Sequence, residues 1–377
     1  MSARRLWAIA RKEFLHVIRD PRSLAMAIAM PLLLMMLYGY ALSLDVDNVP
    51  TVVWDQSESP ASREFISAFT GSRYFSIRAH VSNYREVEEA IDSGRALAAL
   101  IVPRDFAGRI ESGREASVQL IVDGSDSNTA TLAMGYADAV ALTYAQMVAI
   151  RLLEHTGMRP PRPALDFRPR VWFNADMESR NYIIPGLIAV IMMVIAALLT
   201  SLTVAREWER GTMEQLISTP VKGPELIMGK LLPYFAIGMF DVLLVVLLGQ
   251  FLFRVPLRGN VFLLFGMAAI FLAGTLSLGI LVSVVTKSQL LASQFSMVLT
   301  FVPSFLLSGF VFAISNMPEP MQWVTYAVPA RYFIAMLKAI YLKGVGLPVL
   351  AGDAGLLTVY GVTMVLLANL GFKKKLV

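Results

Sequence analysis

Uncharged apolar runs alternate with short charged connections along most of the chain, and one long polar stretch interrupts them. A helix rises 1.5 Å per residue, so about 20 apolar residues cross the hydrocarbon core of a bilayer. Runs near that length occupy residues 23–44, 182–205, 231–253, 261–286, 290–312 and 354–372. They predict six membrane-spanning helices. Residues 1–22 carry Arg4, Arg5, Arg11, Lys12, Arg19 and Arg22 against Glu13 and Asp20. The positive-inside rule then keeps the N-terminus in the cytoplasm, and Lys373, Lys374 and Lys375 after the last run place the C-terminus there too. Arg254 and Arg258, in a short outer connection, run mildly against the rule. Leu6, Trp7, Ile9, Ala10, Phe14 and Val17 form an apolar flank, which predicts an interfacial helix within 1–22. Ala41-Leu42-Ser43 resembles a small-x-small cleavage site, but the apolar run before it is too long for a signal peptide. The first run is expected to stay as a span.

Residues 45–180 are polar, hold no lysine and fall outside the membrane by the span count. Their hydrophobic period switches between two and about 3.6. Strands are predicted at 51–55, 74–79, 96–102 and 118–123, with a last short one at 171–173. Helices are predicted at 61–69, 84–92, 103–111 and 126–155. The inward stripe of the last helix reads Leu132, Tyr136, Val140, Tyr144, Met147 and Leu152. Alternating strands and helices predict a small α/β domain inserted between the first two spans. Asp123-Gly124-Ser125-Asp126-Ser127-Asn128 imitates a calcium loop, but Met134 stands where the closing glutamate belongs, so it reads as a turn and N-cap.

Two segments of 181–377 do not fit a plain span. Residues 206–230, REWERGTMEQLISTPVKGPELIMGK, are a charged, helix-forming island between two apolar runs. Glu207 and Arg210 are spaced to pair locally, as are Arg206 and the carboxylates one turn on. Trp208, Thr212 and Leu216 fall four apart, as do Met213 and Ile217, giving one apolar flank. Gly211 inside that stretch suggests a bend or a close backbone approach, and Pro220 stops the helix. The island lies on lipid as an interfacial helix, or it is a lever for a cytoplasmic partner. Residues 318–346 hold Trp323, Tyr326, Arg331 and Tyr332 and are broken at Pro329. They predict an outer helical hairpin that re-enters the interface.

The chain has 377 residues, 56% of them hydrophobic, which is a polytopic membrane composition rather than a soluble one. The formal charge of +5 is spread along the flanks of apolar runs, so nucleic acid is not an expected partner. There is no cysteine, and His16, His80 and His155 make no metal-ligand spacing. Residues 223–230 imitate a phosphate-binding loop, but Leu231 occupies the position that needs Ser or Thr, and no strand precedes it. No nucleophile triad, metalloprotease motif or dinucleotide fingerprint is present, so no catalytic residue is expected. Asp241 is the one ionisable residue deep in a run, which marks either a transport path or a structural hydrogen bond to a neighbouring span. Ser293 and Gln294 place polar groups near the inner end of the fifth run and are candidates for the same path. Gly274, Ser277, Gly279, Ser304 and Ser308 read as helix-packing positions.

The island resembles the E-x-E-x-G-T-x-E-x-L-x-x-T-P segment of ABC-2 type export permeases, through Glu207, Glu209, Gly211, Thr212, Glu214, Leu216, Thr219 and Pro220, with Lys230 beyond. The D-G-S-D-x-N-T-A string from Asp123 and the hairpin before the last span are similar to the multidrug-type bacterial branch with a large periplasmic loop. The resemblance implies that 206–219, including Arg206, Trp208 and Arg210, is the coupling segment that contacts a separate ATPase subunit. It also implies that ATP and Mg²⁺ bind that partner, with no cofactor on this chain. A second permease copy or paralogue, membrane lipid and a periplasmic adaptor protein are the further partners it implies. The expected function is export of drugs or amphipathic molecules across a bacterial inner membrane by alternating access. The competing readings are a sensor whose α/β domain binds a ligand, and a secondary transporter, which would show internal repeats and several buried charges.

Overall fold

The computed structural model describes residues 2–42, 48–155, 172–174 and 178–372. It comprises two compact units, Met1–Ser43 with Arg170–Val377, and Leu44–Pro169. The chain starts with α1 (Ala3–Arg19). Then α2 (Pro21–Leu24) passes through a π-helical turn, Ala25–Ala29, into α3 (Met30–Ala41). Helical backbone from 21 to 41 is about 31 Å long at 1.5 Å per residue.

The Leu44–Pro169 unit contains β1 (Val49–Asp55), α4 (Pro60–Thr70), β2 (Phe75–His80), α5 (Tyr84–Asp92), β3 (Ala98–Val102), α6 (Phe106–Glu111), β4 (Gln119–Val122) and α7 (Ser127–His155). Each predicted strand and helix from 51 to 155 is present within a few residues of its expected bounds. Ser59 and Ser62 cap α4 reciprocally, each hydroxyl 3.0 Å from the other's backbone N–H, with Pro60 opening the helix. The sheet order is β2-β1-β3-β4, with β1 parallel to β2 and β3, and β4 antiparallel to β3. Alternate residues of a strand face opposite sides. Val49 and Val53 meet Phe65 and Phe69 of α4, Phe106 of α6 and Ala133, Ala137 and Tyr144 of α7. Val52 and Ala99 face the other way, onto Val87 and Ala90 of α5.

Two expectations change here. Tyr136, Val140 and Tyr144 of the expected stripe of α7 pack on the sheet core, but Ala133 and Ala137 are set more deeply than Tyr136 and Val140, and Met147 is exposed. Alanines let the helix lie close on the sheet, and Tyr136 stacks at the edge on Tyr74, ring centroids 4.0 Å apart. Leu152 has no described side chain, and Val171 of the expected strand at 171–173 lies outside the described residues. Trp172 and Phe173 are not in a strand, and Phe173 is left-handed (φ 71°). Lys373–Lys375 also lie outside the described residues.

Beyond the sheet unit come α8 (Ser179–Glu209), α9 (Thr212–Ser218), α10 (Gly223–Phe251), α11 (Val261–Thr286), α12 (Gln289–Leu306), α13 (Glu319–Thr325), α14 (Pro329–Lys338) and α15 (Leu347–Gly371). Among the described residues, α8, α10, α11, α12 and α15 are long and apolar enough to cross a membrane, and Ala25–Ala41 is a shorter apolar helix. Helix α8 is buried on nearly all sides and packs on α3, α10, α11, α12 and α14. An all-round apolar helix belongs at such a centre. The α8–α11 approach is close because Gly279 has no side chain: a Cβ there would stand 2.1 Å from Thr200 Oγ1. Thr200 donates to the Leu276 carbonyl of α11 at 2.9 Å. A Cβ at Gly274 would stand 3.0 Å from the Cα of Gly361 of α15.

Helix α12 stops at Leu306, short of the expected 312, and the chain turns at left-handed Gly309 (φ 79°). The Gly309 carbonyl accepts from Tyr182 Oη and Lys338 Nζ, both at 3.1 Å, so α8 and α14 hold the turn. Pro329 opens α14 after the break from α13, where the sequence places a hairpin. Trp323 and Tyr326 are exposed, while Tyr332 is buried and donates to the Tyr326 carbonyl at 2.7 Å. The Arg331 guanidinium lies 3.9 Å from the Tyr326 ring centroid.

Candidate functional site

Residues 206–219 are not one helix. Helix α8 runs through Arg206, Glu207, Trp208 and Glu209; Arg210 caps it, and Gly211 is left-handed (φ 69°). Glycine there ends the helix and redirects the chain into α9. Nothing lies within 4 Å of where a Gly211 side chain would begin, so the glycine is needed for its backbone and not for crowding inside the chain. The four-residue spacing of Trp208, Thr212 and Leu216 therefore spans two helices. All three are half-buried, and Met213 is fully buried at the α8–α9 junction.

The charges divide sharply by burial. Glu207 is 7% exposed, Lys230 1% and Glu13 5%. Lys230 Nζ of α10 lies 2.8 Å from Glu13 Oε1 of α1 and 3.0 Å from Glu207 Oε2 of α8. The second contact is ionic and lies off the hydrogen-bond direction. Lys12 Nζ donates to Glu207 Oε1 at 3.0 Å from the solvent side. Burial pushes the Glu13 carboxyl up, but Lys230, Lys12 and His16 together hold it below its ordinary 4.5. Arg206 joins the same region: Nη1 is 2.7 Å from His16 Nε2 and 3.7 Å from Asp20 Oδ2. One cluster thus ties α1, α8 and α10 together at the root of α9. Ser2 N, 2.6 Å from Glu225 Oε1, and Arg5 Nη1, 2.6 Å from the Pro220 carbonyl, extend the seam along α1.

This arrangement corrects the local pairing expected from spacing. Glu207 pairs with Lys230 and Lys12, not with Arg210, and Arg206 pairs with α1, not with a carboxylate one turn on. A buried charge needs a partner in the same low-dielectric pocket, and that demand outranks a solvated one-turn pair. Glu207 is consequently not part of an exposed acidic face. Glu209 is exposed, and it accepts from Gln289 N at 2.7 Å and from the Gln289 amide, holding the start of α12. Lys287 lies 4.7 Å from the Trp208 ring centroid. Arg210 and Gln215 are exposed and line a cavity of about 500 Å³ together with Lys12, His16, Thr212 and Leu216, while Gly211, Glu214 and Ser218 are exposed without lining it. Nothing here activates a nucleophile or water. Helix α9 packs on the end of α8, and the Glu207–Lys230 contact ties that end to α10.

The profile described as "ABC-2 family transporter protein" matches residues 21–370. This chain belongs to the ABC-2 family. It is 39% identical to the "Probable multidrug ABC transporter permease YbhS" of Escherichia coli (strain K12), over 91% of this chain and 90% of that one. It is 30% identical to "Probable multidrug ABC transporter permease YbhR" of the same organism, over 92% of each. It is 23% identical to "Inner membrane transport permease YhhJ", over 86% of this chain and 85% of that one. The ABC-2 chain is therefore a multi-pass membrane permease subunit of an ABC transporter. ATP hydrolysis belongs to a separate ATPase subunit, the partner the family implies.

The other candidates of this ABC-2 permease are scattered. Asp241 is buried in α10, and its Oδ1 has no hydrogen-bond partner among the described residues. Ser293 donates to the Leu290 carbonyl of its own helix at 2.9 Å, and Gln294 is exposed. Helices α10 and α12 both pack on α8 and α11 but not closely on each other, so Asp241 does not share one site with Ser293 and Gln294. The hydroxyl of Ser296, buried on α12, likewise has no hydrogen-bond partner among the described residues. Lys12, Glu13 and His16 were not singled out from the sequence. The signal for Glu13 was its place on the Ile9, Ala10, Val17 stripe that α1 buries. Residues 223–230, the phosphate-loop imitation, form the start of α10, and Lys230 is spent on Glu13 and Glu207.

Proposed function

We propose that this chain is the membrane half of an ATP-driven exporter in a bacterial inner membrane, with α9 and its flanks, 206–219, as the contact for the ATPase. The observation that carries the reading is the detached α9. A seven-residue helix, freed from α8 by left-handed Gly211, presents Arg210, Glu214 and Gln215, and its root is clamped to α1 and α10 through Lys230. Closure of two ATPase subunits would displace α9, and the central α8 would carry the motion to the helices around it. Two permease copies or paralogues, six spans each with 21–41 as the first, would open outward by alternating access. The cargo class, drugs or other amphipathic molecules leaving the cytoplasm or inner leaflet, is supported by the names of the relatives. The α/β unit belongs outside, with the 318–346 hairpin at the outer interface, and a periplasmic adaptor is a further partner. ATP and Mg²⁺ bind the ATPase and not this chain.

The test uses exposed positions. Arg210→Glu with Glu214→Lys should leave insertion and melting unchanged, because neither side chain is buried. Co-purification with the ATPase subunit and stimulation of its ATP hydrolysis should both fall at least tenfold. Normal stimulation in the double variant would remove α9 as the contact.

A further inference from the structure

The α/β unit carries a crevice of about 780 Å³ outside the carboxyl ends of β1 and β2. Its place follows from the winding of the sheet. The connection leaving β1 goes to α4 on one face, and the connection leaving β2 goes to α5 on the other. Neighbouring parallel strands whose connections part to opposite faces leave a gap between them, and ligands of open α/β sheets bind in that gap. The connection leaving β3 returns to the α4 face through α6, so the gap falls between β1 and β2 alone. The volume lies in the range of small-molecule sites.

The lining sets the chemistry. Trp54, Ile66 and Val81 supply an apolar wall, and Arg63 and Arg104 supply guanidinium groups. Asp55 also borders the crevice, but its carboxylate already accepts from Ser57 N at 3.0 Å, Glu58 N at 3.1 Å and Ser62 Oγ at 2.6 Å. Its oxygens are occupied by that turn, and Glu58, the other carboxylate of the lining, is exposed to solvent. Arg63 gives one N–H to the Glu58 carbonyl at 3.0 Å and keeps the others. Arg104 donates to no protein acceptor among the described residues. Two arginines with donors to spare, beside an indole and two aliphatic groups, match a planar anion attached to an apolar body. We propose that this crevice is a binding site for a small organic anion, a carboxylate, sulfonate or phosphate bearing an aromatic or aliphatic group. Neither the direction of transport nor the ATPase contact enters into it.

The full chain in phosphatidylcholine nanodiscs, titrated calorimetrically with 2-naphthalenesulfonate, tests this. One saturable site per chain is expected. Arg63→Ala and Arg104→Ala should each weaken it about tenfold, the loss typical of a charged hydrogen bond. Arg85→Ala, an exposed side chain of α5 outside the crevice, should leave it unchanged. Neutral 2-naphthol and inorganic phosphate, each holding half of the required chemistry, should bind at least tenfold more weakly. Competition by a soluble short-chain phosphatidylglycerol but not by naphthoate would assign the anion to lipid, and the reverse to a free solute. Absence of a saturable site, equal affinity in both arginine variants, or equal binding of 2-naphthol or phosphate would overturn the assignment.

Discussion

Replacing Lys230 by methionine is expected to be the most damaging single change at the junction of α1, α8 and α10. The stem of Lys230 is buried, and methionine fills much the same volume, so the loss is chiefly one of charge. Two carboxylates would then lose their central cation. Glu207 would keep Lys12 at 3.0 Å, but the nearest remaining cation to Glu13 is the same Lys12 at 4.0 Å. Breaking a buried ion pair by removing one partner destabilises by about 3–5 kcal/mol, because the other charge stays in the low-dielectric site. Equilibrium unfolding in mixed micelles measures the loss, and a melting shift on the order of 10 °C should accompany it. Adding Glu13→Gln removes the more isolated carboxylate, so the double variant should recover about 1–3 kcal/mol relative to Lys230→Met alone. A loss below about 1 kcal/mol for Lys230→Met, or no recovery in the double variant, would refute the cluster as the clamp between α1, α8 and α10.

The Glu13 carboxyl sits below its ordinary 4.5 in the folded chain, so its contribution is complete above 4.5 and disappears as pH falls through the depressed value. Melting temperature should be insensitive to this group from neutral pH down to 4.5 and fall below it, and Glu13→Gln should flatten that fall in a pH-resolved melt. Gly211→Val forces a β-branched residue into the left-handed region, a strain of about 1–2 kcal/mol that should bend α9 away and abolish ATPase stimulation, while Gly211→Asn should retain it. Equal stimulation by the two variants would deny the backbone role. Asp241→Asn should preserve assembly and Asp241→Leu should impair it, as read by size-exclusion and transport; two variants that both match the parent would leave the buried carboxylate without a part in either. A cysteine at Ser57 should react with an impermeant thiol reagent from outside and one at Ser218 should not, on a chain with no native cysteine to block; the opposite pattern would invert the topology.

Hydrophobic period alone located five of the long apolar helices, the strand and helix sequence from 51 to 155, and the break at Pro329. Those features depend on residues near one another in the chain. Spacing also marked Gly211 as a bend and Gly274 and Gly279 as packing positions, since glycine has few other reasons to sit in a helix. What spacing could not decide was which charges meet. Glu207 and Arg210 stand one turn apart, yet Glu207 belongs to Lys230, and that became visible only when α1, α8 and α10 converged and took the carboxylate out of water. The same limit separated Asp241 from Ser293 and Gln294, whose helices do not pack closely on each other. It also hid the crevice between β1 and β2, which exists because successive connections leave the sheet on opposite faces. Local periodicity determined the elements of this protein, and long-range burial, which sets the cost of an unpaired charge and the course of each connection, decided what those elements bring together.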